Sequence, residues 1–166
     1  MEDADEKRAK RFFADARLPS VERAELEDYK NSGYSRGHMA PAGDMPTPTA
    51  MAQSFSLANM VPQNAQHNGG AWNKIEQDTR QYVKRAKGDV FVFTGPVFTE
   101  SSPRIGDNGV RVPTHLYKLV YDATTQRAWA HWQANREGEA AGPPINYQDL
   151  VKRTGIEFLR TAKVKH

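Results

Sequence analysis

Apolar residues recur at helical spacing most clearly between Asn68 and Lys87. Trp72, Ile75, Tyr82, Val83 and Ala86 form one stripe there, and Gly88 follows as a C-terminal stop, which predicts an amphipathic helix over 68–87. Branched and aromatic residues mark strands at 89–95, read as a central strand, and at 110–113 and 115–121. A turn over 122–125 leads into a further strand at 127–132, and Pro113 marks an edge or bulge. Shorter segments fill the remainder. A helix over 21–29 is expected, capped by Ser20, with Arg23 where a capping-box glutamate would stand and Asn31-Ser32-Gly33 at its end. Residues 41–50, with Pro41, Gly43, Pro46 and Pro48, read as an ordered irregular connection into a helical turn at 50–55. Residues 56–61 suit a buried strand ending at Pro62, and 147–153 a last helix. Mixed strands and helices around one antiparallel sheet make an α+β fold, expected as a single domain over 1–166.

Composition narrows the picture only in places. The chain has 166 residues, 38% hydrophobic and 26% charged, enough to bury a core. A net charge of +3 favours a polyanionic partner without requiring one. The absence of cysteine excludes disulfides, cysteine-based zinc sites and a thiol nucleophile. No apolar run approaches the roughly 18 residues of a membrane span. The acidic start, Met1-Glu2-Asp3-Ala4-Asp5-Glu6, is not a signal peptide's basic region. Residues 1–11 are densely charged and are expected to be a solvated, frayed terminus.

The chemistry concentrates at Arg36-Gly37-His38. In an extended segment Arg36 and His38 share a face, because side chains alternate with a period of two. A neighbouring guanidinium favours the neutral imidazole, which can take a proton, and offers a planar fork for phosphate oxygens. A base and a phosphate clamp on one face suggest chemistry on a phosphoester. Gly37 relieves crowding or admits a phosphate to the backbone, the second being favoured. Asn68 by itself reads as an N-cap, and Glu76 with Arg80 as a helical ion pair. Trp72 and Gly70 read as structural, and Trp129, Trp132, Phe91 and Phe93 as core. His67 shares no zinc-like spacing with His38 and His115.

Arg36-Gly37-His38 and the downstream Asn68-x-Gly70-x-Trp72-x-x-x-Glu76 resemble the DNA/RNA non-specific endonuclease family of ββα-metal (His-Me finger) nucleases. Asn59-Met60-Val61-Pro62-Gln63 and Thr94-Gly95-Pro96-Val97-Phe98 extend the likeness over 12–158. One departure stands out: Ser35 occupies the place of the aspartate in the family's Asp-Arg-Gly-His motif.

The resemblance implies hydrolysis of DNA and RNA to 5′-phosphate and 3′-hydroxyl ends. His38 would be the general base and Asn68 a ligand to Mg2+, with Mn2+ as an alternative ion. Arg36 and Arg80 would stabilise phosphoryl charge, and Arg8 matches by spacing an upstream phosphate-binding arginine. Glu76 lies eight residues beyond Asn68, about 12 Å along a continuous helix. That separation suits holding a metal-bound water better than sharing the ion. Family members carry further strands before the point where this chain begins, so an N-terminally shortened form with a secreted or periplasmic parent is expected. Serine brings no charge to the ion, so Ser35→Asp is expected to speed the reaction. Ser35 also motivates a second reading, a catalytically weakened member that binds nucleic acid or an inhibitor. A small-molecule phosphodiesterase is the third.

Overall fold

The computed structural model describes residues 12–165. Its helices are α1 (Leu26–Tyr29), α2 (Pro48–Gln53), α3 (Ala65–Gly69), α4 (Ala71–Arg85) and α5 (Tyr147–Thr154). Its strands are β1 (Ser35–His38), β2 (Met60–Gln63), β3 (Val90–Val97), β4 (Arg104–Ile105), β5 (Val110–Arg111), β6 (His115–Asp122), β7 (Arg127–Ala134) and β8 (Ile145–Asn146). The named strands pair antiparallel, and an isolated parallel bridge joins Phe13 to Ser56. β3, β6, β7 and β8 form a four-stranded sheet in that order, while β1 with β2 and β4 with β5 form two-stranded ones. The α+β class stands, the four-stranded ladder being the main antiparallel sheet, with two two-stranded sheets beside it among the described residues.

Helix α4 lies across this frame because its apolar stripe meets apolar strand faces. Trp72 and Ile75 pack with Val61 of β2 and Leu116 of β6, and all four are buried. One helix is thereby fixed against both the β1–β2 pair and the main sheet. On the other side of the sheet, Leu119, Tyr121 and Ala130 pack with Tyr147 and Leu150 of α5 and with Leu159.

Several expectations are corrected. Strand β3 is an edge strand, paired on one side by β6, and Phe91 is 51% exposed, so neither a central strand nor a core Phe91 holds. Ser20 opens only a 3-10 turn, Ser20–Glu22, without a side-chain cap. The helix proper is α1, where Asp28 Oδ2 accepts the Glu25 backbone N–H at 2.8 Å. The long helix starts at Ala71, not Asn68, because the backbone breaks at Gly70 (φ −109°, ψ −107°). A Cβ on Gly70 would meet the Gln66 carbonyl oxygen at 2.7 Å, so a side chain there would force the break to move.

Candidate active site

Strand β1 carries Arg36 and His38. Its register sets Arg36 opposite Pro62 and His38 opposite Met60, and both side chains line one cleft, as the period of two requires. The His38 imidazole is wedged between aromatic rings. Phe55 meets it edge-on at 5.0 Å between centroids, and Phe12 lies 5.9 Å away. The same Phe12 ring carries the Arg36 guanidinium at 4.1 Å. Phe12 thus orders both groups, a role that its isolated place in the sequence does not announce.

Gly37 has a different purpose from the one expected. The Gln63 side chain crosses the space where a Cβ would stand, with Oε1 only 2.0 Å from that position. A protein side chain fills the gap, so the glycine does not serve to admit a phosphate. Gln63 is fully buried and its Nε2 lies 3.1 Å from His67 Nδ1, while His67 Nε2 lies 3.0 Å from Gln133 Oε1. The amide donating to Nδ1 leaves the imidazole proton on Nε2, donated to Gln133. Burial lowers the His67 pKa and keeps the ring neutral. This network braces the residue immediately before Asn68.

Asn68 is not an N-cap. Asn64 caps α3, its Oδ1 accepting the His67 backbone N–H at 3.0 Å, and Gly70 precedes α4 without a side-chain cap. The Asn68 side chain is therefore available to the cleft, and Ser35 orients it. The Ser35 hydroxyl donates to the Gln63 carbonyl (2.9 Å) and accepts from Asn68 Nδ2 (3.3 Å). With the amide nitrogen held by Ser35, the carbonyl oxygen of Asn68 is the end presented to a ligand.

Glu76 and Arg80 stand one turn apart on α4 and both line the cleft. Arg80 Nε bonds Asp44 Oδ1 at 2.6 Å, a tertiary ion pair to the 3-10 turn Ala42–Asp44 that follows β1. Gly43 leaves room for that guanidinium, because a Cβ there would meet Arg80 Nη2 at 2.6 Å. Motif spacing alone does not pair Asp44 with Arg80, because the two lie 36 residues apart. The break at Gly70 also removes the basis for setting Glu76 about 12 Å from Asn68 on one axis.

Arg36, His38, Asn68, Glu76 and Arg80 thus border a single cavity of about 760 Å³. Arg8 lies outside the described residues. Among the described residues no group of three or more His, Asp or Glu side chains converges to hold a metal. The side-chain oxygen donors bordering the cleft are the oriented amide oxygen of Asn68, the amides of Asn73 and Gln77, and the Glu76 carboxylate. That set fits magnesium, which prefers hard oxygen ligands, takes few from protein and keeps several waters.

An antiparallel α+β frame that brings an Arg-x-His strand and an Asn-to-Glu helical segment to one cleft is the architecture of a ββα-metal nuclease. The chain belongs to the DNA/RNA non-specific endonuclease family, which matches residues 1–165. It is 44% identical to "Nuclease EXOG, mitochondrial" of Mus musculus over 71% of this chain and 34% of that protein. It is 36% identical to the Homo sapiens protein of the same name over 100% of this chain and 51% of that protein. A chain in the crystal structure of the EndoG/EndoGI complex superposes with a TM-score of 0.80 at 30% identity, over 89% of this chain and 67% of that one. The chain spans about a third to a half of the length of these curated relatives. Their names place them in mitochondria, which lends no support to the expectation of a secreted or periplasmic parent. Among the described residues no helix is long and apolar enough to cross a membrane.

Proposed function

We propose that this chain is a metal-dependent, sequence-non-specific endonuclease that hydrolyses DNA and RNA to 5′-phosphate and 3′-hydroxyl ends. The convergence of Arg36, His38, Asn68, Glu76 and Arg80 on one cleft carries this reading. His38, held between Phe12 and Phe55, takes a proton from water attacking the phosphorus. Arg36 and Arg80 meet the negative charge that accumulates on the phosphoryl oxygens. Asn68 offers its amide oxygen to Mg2+, or to Mn2+ in its place, while Glu76 accepts hydrogen bonds from water in the cleft. Bound there, the ion would neutralise phosphate charge and favour departure of the 3′ oxygen.

Purified protein incubated with supercoiled plasmid tests the reading. Nicked and linear products with Mg2+, and none with chelator, are expected for DNA, and parallel degradation for RNA. Retention of plasmid without cleavage at any metal concentration would support instead a binding member of the family that has lost turnover. Cleavage only of mononucleotide esters would indicate a small-molecule phosphodiesterase.

A further inference from the structure

A second cavity adjoins the cleft, and the mechanism gives it no task. It encloses about 430 Å³, within the range of small-ligand sites. Leu26 and Tyr29 of α1 line it, with Lys30 just beyond, and so do Tyr34 and Arg36 at the entry to β1. Phe12 completes the lining. Phe12 and Arg36 also line the catalytic cleft, and the guanidinium lies 4.1 Å from the centre of the ring, so this cation–aromatic pair borders both spaces.

The lining includes a tyrosine whose hydroxyl the fold leaves unsatisfied. Tyr29 is 5% exposed, and its hydroxyl is buried without a hydrogen-bond partner. Buried phenol groups ordinarily find one, because an unmade hydrogen bond keeps the whole desolvation cost. Burial, and then the Asp28 carboxylate, raise the Tyr29 pKa, so the group stays a neutral hydroxyl that can donate or accept. Tyr34 is half-buried and pairs with no other aromatic ring among the described residues, whereas Phe12 already meets Arg36, His38 and Phe55. Glu27 and Lys30, also in the lining, are exposed and offset each other, which leaves Arg36 as the charge that selects a ligand. An unstacked ring, an unpaired hydroxyl and a guanidinium together suit a planar group with polar edges that is attached to a phosphate.

We propose that this cavity is a nucleobase subsite. The base of a nucleotide next to the scissile phosphate stacks on Tyr34 and bonds the Tyr29 hydroxyl, with Arg36 on the phosphate that joins it to the cleft. Stacking accepts every base, and a hydroxyl that both donates and accepts fits any base edge, so the subsite adds affinity without reading sequence. The assignment rests on the nuclease reading.

Fluorescence anisotropy in the presence of chelator, so that nothing is cut, tests it on two labelled probes: a short oligothymidylate and an abasic oligomer of equal length and charge. The wild type should bind the oligothymidylate more tightly by about 5- to 100-fold, the worth of one stacked base. Tyr29→Phe should reduce that preference by about 2- to 10-fold, the worth of one hydrogen bond. It should not lower the melting temperature, since it removes an unpaired buried group. Leu26→Trp, at a position 41% exposed, should fill the cavity and abolish the preference. A preference unchanged in either variant would overturn the proposal. So would a Tyr29→Phe protein that melts well below the wild type, because the hydroxyl would then have its partner in the fold. If the wild type binds both probes alike, the subsite is refuted while plasmid cleavage still decides the nuclease reading. A chain that binds neither probe and leaves plasmid intact overturns both.

Discussion

Replacing Gly37 by alanine separates packing from substrate contact in the motif. The added Cβ would stand 2.0 Å from Gln63 Oε1, 2.8 Å from its Cβ and 3.0 Å from its Cδ, so Gln63 has to move. Overpacking of this kind costs about 1–3 kcal/mol. Displacing Gln63 also takes the donor from His67 Nδ1 in a buried site, a further loss of about 1–3 kcal/mol. The sum, roughly 2–6 kcal/mol, corresponds to a melting temperature lowered by on the order of 5–25 °C in a chain of this size. Thermal and urea unfolding followed by circular dichroism measure it. Introducing Gln63→Ala first makes room, so Gly37→Ala should then cost little. If Gly37→Ala instead melts with the wild type and raises only the KM for DNA, Gly37 faces a phosphate and the packing argument is wrong.

Further outcomes follow from the same geometry. Ser35→Asp should weaken activity and the apparent Mg2+ midpoint, against the expectation from the motif alone, because a carboxylate cannot donate to the Gln63 carbonyl as the serine hydroxyl does. A metal titration of plasmid cleavage would show it, and a faster variant would count against the role of that hydroxyl. Asn64→Ala should cost about 1 kcal/mol as a lost cap, whereas Asn68→Ala should leave stability nearly unchanged and demand more metal for cleavage. The side chain of Arg17 and its backbone N–H, then the Ser56 hydroxyl, hold the Asp15 carboxyl well below its usual value. Its contribution is present above about pH 4 and lost as pH falls below it, so Asp15→Asn should flatten acid unfolding in that range. Burial lowers the pKa of His115 and His131, so stability should also begin to fall as pH drops through about 6.5, and replacing both by glutamine should reduce that slope.

What the sequence disclosed was whatever local periodicity controls. The alternation of Arg36 and His38 fixed their common face, and the stripe through Trp72 and Ile75 fixed the side of α4 that meets the sheet. Contacts between distant segments were not legible. Gly37 depends on Gln63, Asn68 on Ser35, and Arg80 on Asp44, each pair brought together only by tertiary packing. Phe91 read as core because branched and aromatic residues report strand formation without saying which strands have two neighbours. The Gly69-Gly70 pair did carry a warning that the helix would not run back to Asn68.

The central claim is that the cleft bordered by Arg36, His38, Asn68, Glu76 and Arg80 is the catalytic centre, with His38 as its base. Single-turnover cleavage of plasmid by His38→Gln at saturating Mg2+ tests it most directly, with melting temperature and DNA retention measured on the same preparation. The account predicts a rate lower by about 100- to 10,000-fold in a folded protein that still binds DNA. A folded His38→Gln variant that cuts at the wild-type rate would contradict it.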